Sequence, residues 1–104
     1  AHLTKAGVWI NASSRLLKND VLAIGADAAL STLKALNPVT FSYKIAPTET
    51  YAGFIAEDVP EMVATNDRKG LAAMDIVAVL TKVLQQQQAV IENLQGRLSQ
   101  LEDK

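Results

Sequence analysis

A narrow apolar stripe runs along the last part of the chain, residues 74–104, and constrains the fold more than any other feature. Aliphatic side chains recur there at alternating steps of three and four residues, the a/d spacing of a coiled-coil helix. Four heptads supply eight such positions, which we call the seam: Val77, Leu80, Leu84, Gln87, Ile91, Leu94, Leu98 and Leu101. One small core cannot cover so narrow a stripe along its whole length. The pattern therefore predicts a helix that packs against copies of itself or against a partner helix.

Two details of this stripe bear on how many helices meet. Ile76, Val83 and Val90 flank the seam, and the wider stripe favours more than two helices or packing against the rest of the chain. Gln87 occupies a d position, where a polar layer fixes register at a cost in stability. Alternatively, Gln87 only continues the polar run 85–88 as a soluble spacer. The remaining alternative to self-association is a long helix docked along a parent domain.

Composition limits the rest of the chain to one small domain and excludes several kinds of partner. Roughly seventy residues remain for a globular part, a size at which a lone core is only marginally stable. The net charge is −1 without a basic stripe, so neither nucleic acid nor a membrane surface is a predicted partner. No apolar run approaches the length of a membrane span. The start at Ala1 without methionine suggests a piece of a longer protein.

Metal and cofactor chemistry find little support in the residue types. The chain has no cysteine, which excludes disulfides and thiolate metal sites. Its one histidine, His2, lies at the N-terminal end, where a lone imidazole is rarely a ligand. Glu57 and Asp58 are adjacent carboxylates, but neighbouring side chains point apart and do not form an acid–base pair. No metal site and no cofactor are predicted.

Residues before the seam predict a mixed α/β head, which makes the fold class α+β. A helix is expected to start near Asp27 and to end at Asn37-Pro38, because proline disfavours helical geometry in the residue before it. Its apolar face consists of three leucines: Leu30, Leu33 and Leu36. Apolar and polar residues alternate over 39–45, which predicts a strand. A loop over 46–50 and a second strand over 51–56 would complete a hairpin.

Shorter features complete the predicted head. Residues 57–63 are expected to form one or two helical turns, with Asp58 as the cap and Pro60 in the first turn. The polar run 66–70 predicts a solvated turn. An apolar cluster at 8–10 could form a short strand, and Trp9 in it is expected to cover a small core. Three further aromatic side chains lie at strand spacing and are expected in the core: Phe41, Tyr43 and Phe54.

Residues 11–20 contain the one candidate for catalysis, a serine followed five residues later by a lysine. Serine becomes a nucleophile when a base accepts its proton, and lysine can serve if desolvation or nearby positive charge keeps it neutral. Considered alone, the spacing of Ser13 and Lys18 arises often by chance. A serine-capped turn beside a solvated lysine is the simpler explanation of the spacing on its own.

Four stretches taken in order give this pair a context. They are SSRLLKND from residue 13, LKALNPVTFSYK from residue 33, GFIAEDVPEMV from residue 53 and GLAAMDIVAVLTKVLQQQQAVIENL from residue 70. Together they resemble the intramolecular chaperone domain of endosialidases and other phage tail proteins, also known as the S74 peptidase family. The resemblance extends from about Gly7 to Leu101.

The resemblance implies a C-terminal domain that forms a homotrimer, helps the upstream part of its own polypeptide to fold as a fibre or spike, and then cuts itself off. Cleavage in the family falls immediately before the serine. Carried onto this chain, the scissile bond is Ala12–Ser13, with Ser13 Oγ attacking the Ala12 carbonyl and Lys18 accepting the hydroxyl proton. The family commonly has aspartate directly after the serine, whereas this chain has Ser14. That difference puts efficient cleavage in question.

These expectations divide the chain into residues 1–12 before the cleavage point, a chaperone head over 13–73 and a trimeric coiled-coil helix over 74–104. Burial of Lys18 on assembly would make cleavage wait for correct folding. The resemblance implies a virion tail or cell-surface fibre precursor assembled in the bacterial cytoplasm. The host remains open between a phage, a bacterium and a eukaryotic regulator that uses the same domain. A non-enzymatic oligomerisation module is the alternative function.

Overall fold

The computed structural model of the protein describes residues 2–3, 9–10 and 14–103, and for residues 2–3 and 9–10 it describes the backbone only. Four strands and two α-helices follow one another, interspersed with 3-10 helices: β1 (His2–Leu3), β2 (Trp9–Ile10), α1 (Ala26–Ala35), β3 (Val39–Tyr43), β4 (Ala46–Gly53) and α2 (Ala73–Glu102). β1 pairs antiparallel with β2, and β3 pairs antiparallel with β4. The predicted α+β class, with a hairpin and a long C-terminal helix, is confirmed.

The core forms where α1 and the first turns of α2 pack together over a 3-10 helix, Glu61–Val63. Six buried side chains make it up: Ala29, Val59, Val63, Ile76, Val79 and Val83. Leu33 and Leu36 pack against this cluster, as the predicted face of α1 requires. Leu30 remains 41% exposed, because three-residue steps drift around a helix that turns every 3.6 residues.

α1 begins and ends close to the predicted points. Gly25 is the N-cap and contributes no side-chain hydrogen bond, while Asp27 lies in the first turn, where its charge complements the helix dipole. Leu36 closes the helix, and Asn37-Pro38 leads directly into β3. Thr32 is the buried polar residue of α1, and its hydroxyl donates to Met62 Sδ at 3.6 Å. The largest contact of α1 with another element is its packing against α2.

The β3–β4 hairpin exists, but two of its predicted details are wrong. The turn lies at residues 44–45, and the expected loop 46–50 belongs to β4. Phe41 pairs with Tyr51 whereas Tyr43 pairs with Ala46, so residues 47–50 bulge between the two pairs. Ile45, expected to be half-buried, is 96% exposed in the turn. Alternation alone could not locate a tight turn followed by a bulge.

The segment between the hairpin and α2 forms two 3-10 helices, Ala56–Asp58 and Glu61–Val63. This agrees with the one or two helical turns predicted over 57–63. The predicted cap is wrong, since Asp58 ends the first of these helices and Pro60 is the N-cap of the second. Proline suits that place because its fixed φ and missing N–H cost nothing before a helical turn. Val59 and Val63 thereby face the core.

α2 is a 30-residue helix, about 45 Å long at ~1.5 Å per residue. It starts one residue before the predicted Met74 and ends at Glu102. Asp75 lies in its first turn, and the C-terminal turn is closed by the Asp103 N–H bonding Ser99 O and Leu101 O. The buried residues of α2 end at Val83, so its C-terminal part projects from the head, and the molecule extends 63 Å along its longest axis.

Candidate functional site

Two separate apolar faces divide the surface of α2. Ile76, Val79 and Val83 are buried against the head at steps of three and four residues. Flanking apolar residues were expected either to widen the seam or to pack on the rest of the chain, and Ile76 and Val83 do the second. Val79 was not predicted, because it belongs to neither the seam nor its flanks. The head therefore takes one face of α2 and leaves the seam free.

The seam is exposed along its full length in the single chain. Seven aliphatic side chains retain 37% to 65% of their accessible surface: Val77, Leu80, Leu84, Ile91, Leu94, Leu98 and Leu101. Gln87, the polar position between them, is exposed as well. A contiguous apolar stripe of this length on a protein surface marks an interaction surface. It follows that the head does not cover the residues predicted to drive association.

The second candidate site lies in the segment that carries the serine–lysine pair. Ala12 and Ser13 lie outside the described residues, so the structure gives no distance between the Ser13 hydroxyl and the Lys18 amine. Lys18 is exposed and follows the 3-10 helix Arg15–Leu17 as its C-cap, where its backbone N–H donates to the Arg15 carbonyl at 3.1 Å. The single chain therefore leaves the Lys18 ammonium in water.

Ser14, which stands where the family commonly has aspartate, has a defined structural role. It is the N-cap of the 3-10 helix Arg15–Leu17, and its Oγ accepts a hydrogen bond of 3.2 Å from the Leu16 N–H. Serine and aspartate are about equally good N-caps because both place an oxygen on a free backbone N–H. Serine in place of aspartate at position 14 therefore keeps the N-cap of the turn before Lys18, although it removes a negative charge.

Arg68 is a structural residue that the sequence did not reveal. The predicted turn at 66–70 is present, but Arg68 is only partly exposed, and its Nη1 donates to the Val59 carbonyl at 2.8 Å. Arg68 itself has a φ of 54°, a left-handed conformation that is uncommon for a side chain of this size. The expectation that Arg68 is simply solvated is wrong. Nothing in the local pattern links two residues nine positions apart.

An aromatic cluster covers one face of the β3–β4 hairpin. Phe41 lies with its ring centroid 5.3 Å from Tyr43 and 6.0 Å from Tyr51. The Tyr51 hydroxyl donates to Glu49 Oε2 at 2.7 Å, and this bond raises the pKa of the phenol above 10.0. Tyr43 is 56% exposed, so its predicted place in the core is wrong, whereas Phe54 packs against the core. Trp9, expected to cover a core, is described by its backbone alone.

Comparison with known proteins bears directly on the serine–lysine segment. The family model described as the chaperone of endosialidase, the S74 peptidase family, matches residues 13–68. The chain belongs to this family. Its match begins at the predicted nucleophile, includes Lys18 and ends at Arg68, before α2 begins. Neither curated proteins nor solved structures gave a match to the chain.

Membership in the S74 family assigns the chain a chaperone role and association with a fibre protein of the phage-tail kind. Among the described residues, no helix has the length and apolar character needed to cross a membrane. The same residues bring together no group of three histidine, cysteine or acidic side chains that would hold a metal ion. The two surfaces that remain to be explained are the seam and the segment around Lys18.

Proposed function

We propose that the protein is an intramolecular chaperone that trimerises through the seam, promotes the folding of an upstream fibre or spike protein, and can cut its own chain at Ala12–Ser13. The observation that carries the assembly proposal is the separation of the two faces of α2. The head buries Ile76, Val79 and Val83, while all seven aliphatic residues of the seam stay exposed. A chain that functioned alone would leave this apolar surface in water at a cost of about 25 cal/mol per Å².

The number three rests on family membership together with the shape of the helix. Gln87 interrupts the aliphatic seam in its middle, where a polar layer can set register and the number of strands. The head occupies one side of α2 over its first turns, and the seam runs on past it to Leu101. Three copies joined along the seam would form a central stalk with three heads around its N-terminal end.

Self-cleavage would follow from the serine–lysine pair once assembly is complete. Ser13 Oγ attacks the Ala12 carbonyl while Lys18 takes its proton, and Lys18 then returns that proton to the peptide nitrogen of Ser13, which leaves as an amine. Water then hydrolyses the resulting ester, which yields the Ala12 carboxylate and regenerates the Ser13 hydroxyl. Lys18 is exposed in the single chain, whereas the reaction requires a neutral amine, because an ammonium group cannot accept a proton. Covering this segment in the trimer would supply the desolvation that the reaction needs.

The upstream polypeptide needs a surface to contact, and the aromatic cluster of the hairpin is the surface we assign to it. Tyr43 and Tyr51 are 56% and 43% exposed, and Ile45 at the tip is almost fully exposed. A two-stranded hairpin with so little cover is marginally stable alone, which favours its packing on another chain. On this proposal the protein resides with a virion tail or a cell-surface fibre, assembled in the bacterial cytoplasm.

A non-enzymatic oligomerisation module is the second candidate function, because the exposed Lys18 and the missing aspartate after the serine both favour it. One experiment separates the two. The chain is expressed with an upstream extension, and its intact mass is measured after denaturation. Self-cleavage predicts a product that starts at Ser13. Ser13→Ala and Lys18→Ala should abolish this product. The matched surface variants Ser31→Ala and Lys34→Ala should still form it.

Persistence of the full-length chain at all protein concentrations would overturn self-cleavage and leave the module. Assembly is tested separately by sedimentation equilibrium of the Ser13→Ala chain, which cannot lose its upstream part by this chemistry. A mass of three chains supports the seam, while a monomer at micromolar concentration would contradict it. The chaperone role predicts that deleting the head and α2 lowers the yield of folded upstream fibre when the two parts are expressed as one chain.

A further inference from the structure

The segment that carries Lys18 exposes more apolar surface than any role in a single chain explains. Leu16, Leu17 and Leu22 are 95%, 70% and 86% exposed, and Val21 is 51% exposed. Over the described residues 14–25, its only regular structure is the 3-10 helix Arg15–Leu17, which has no buried residue. Scattered exposed leucines are ordinary, but two adjacent ones without cover on a short stretch favour contact with another surface.

A groove of matching character lies between the start of α1 and the middle of α2. It has a volume of about 520 Å³, and its aliphatic lining consists of Ala26, Leu30, Val83, Val90 and Ile91. Leu30, Val90 and Ile91 keep 41% to 47% of their surface exposed. We call it the α1/α2 groove. Its volume exceeds the lower end of the range for sites that enclose a ligand, about 300 Å³, so it has room for two leucine side chains.

We propose that in the assembled protein the α1/α2 groove of one copy receives Leu16 and Leu17 of a neighbouring copy. This inference rests on the proposed self-association through the seam. Gln87 and Ile91 belong to both the seam and the groove lining, so a copy that meets the seam passes beside the groove. In a parallel assembly along the seam the heads lie side by side, which brings a neighbour's segment to the level of the groove.

Charge and connectivity agree with this occupant. Asp27 lines the groove, and Arg15 directly precedes Leu16, so the docked segment brings a guanidinium to a carboxylate. The chain's own segment ends at Ala26, at the groove itself, yet its leucines point to solvent and leave the groove unfilled. Among the residues that the structure describes, nothing in a single copy covers either surface, and exchange between copies covers both.

The exchange also places a constraint on the proposed cleavage. Lys18 follows Leu17 directly, so seating Leu17 in a neighbour fixes the position of the lysine backbone and removes water from its side. The serine–lysine site is then complete only when a second copy supplies the groove. Assembly and cleavage are therefore linked through Leu16 and Leu17, although neither side chain takes part in the reaction.

Disulfide trapping tests the exchange directly, because the chain contains no cysteine of its own. A Leu17→Cys chain and a Val90→Cys chain of different tag length are mixed, unfolded, refolded together and oxidised. We expect a disulfide-linked species of mixed size, since a bridge requires Cα atoms about 4.4–6.8 Å apart. The control pair is Leu17→Cys with Ser99→Cys, which lies on α2 at an outer heptad position.

Three outcomes would overturn the proposal, and sedimentation of the same samples tells them apart. If the protein is a trimer but the test pair gives no more mixed-size disulfide product than the control pair, the exchange is contradicted and association through the seam is not. A chain carrying both Leu17→Cys and Val90→Cys that closes a bridge within itself shows docking in one copy. A monomer in sedimentation defeats the proposed self-association, and the exchange with it.

A second measurement compares two exposed leucines of the same segment. Leu16 and Leu22 are 95% and 86% exposed in the single chain, so serine at either position should be neutral for the monomer. We expect Leu16→Ser to raise the concentration at which half the trimer dissociates by about 10-fold, because it removes a side chain buried on assembly. Leu22→Ser should leave that concentration unchanged, because the proposal seats only Leu16 and Leu17 in the groove. Equal effects of the two variants would contradict the exchange.

Discussion

Arg68 Nη1 lies 2.8 Å from the backbone carbonyl of Val59 and donates a hydrogen bond to it. Val59 is a core residue, and Arg68 belongs to the turn that leads into α2. The bond therefore joins the two ends of segment 59–68, which lies beneath α1 and α2. It joins a charged donor to a partly buried carbonyl, which makes it stronger than a neutral hydrogen bond at the surface.

We expect Arg68→Met, which keeps an apolar stem and removes the guanidinium donors, to lower the free energy of unfolding by about 1–2 kcal/mol. Urea denaturation of the head followed by circular dichroism measures the change. Lys69→Met is the control, because Lys69 is exposed and neighbours the same turn. Equal stability of the two variants would show that the Arg68–Val59 bond is not formed in solution.

The two faces of α2 should respond differently to truncation. Val79 is 1% exposed in the core, and Val79→Ala should destabilise the head by about 2 kcal/mol through the cavity that it leaves. Leu94 is 54% exposed in the seam, so Leu94→Ala should leave the monomer's unfolding unchanged and weaken self-association. Thermal unfolding at several protein concentrations separates the two effects. If Leu94→Ala does not change how the melting temperature depends on protein concentration, the result would argue against association through the seam.

Gln87 is expected to limit the number of helices that join rather than to strengthen their contact. Gln87→Leu completes the aliphatic seam, so the melting temperature of the assembly should rise while its mass becomes heterogeneous. Analytical ultracentrifugation and thermal melting of the variant check both parts. Gln88→Leu, outside the seam on the same helix, serves as the control. If Gln87 is only a spacer, the two variants will behave alike.

Ser14 caps the turn before Lys18, and the cap predicts an order of activity among three variants. Ser14→Asp keeps an oxygen for the Leu16 N–H and should retain or increase the proposed cleavage at Ala12–Ser13. Ser14→Ala frees that N–H and should slow cleavage, as should Ser14→Gly. Band intensities on denaturing gels over a time course provide the rates. A Ser14→Ala chain that cleaves as fast as Ser14→Asp would show that the cap has no part in the reaction.

The turn at 65–70 should contribute a pH-dependent term to stability. Hydrogen bonds from the Lys69 N–H and then from the Thr65 hydroxyl lower the pKa of Asp67 below 3.8. A carboxylate with a lowered folded-state pKa stabilises the fold at pH values above its unfolded pKa, and this contribution disappears as pH falls through the folded value. NMR titration of the Asp67 carboxyl carbon measures the shift directly.

Thr65→Val should return only part of the Asp67 shift, because the Lys69 backbone donor remains. Asp67→Asn should narrow the difference in melting temperature between pH 7 and pH 3. A pKa of 3.8 or above in the native chain would contradict the hydrogen bonds to this carboxylate.

The local sequence pattern predicted the two helices well, because the residues that determine them lie close together in the chain. α2 was expected from Met74 and starts at Ala73, since a heptad repeat and good helix formers act together over many turns. α1 ends where Pro38 requires it to end. The hairpin was predicted, but its turn and bulge were misplaced, because apolar alternation continues through Ile45 into a turn that exposes it.

The sequence by itself determined the class of fold, the long helix, its seam and the family to which the chain belongs. These features depend on periodicity and on residues close together in the chain, so no partner element is needed to read them. Only the tertiary structure decided which face of α2 the head covers, that Val79 joins the core, and that Arg68 bonds Val59. Such contacts depend on how separate elements pack, and many arrangements satisfy the same local pattern. The α1/α2 groove is of this second kind, since neither helix alone contains it.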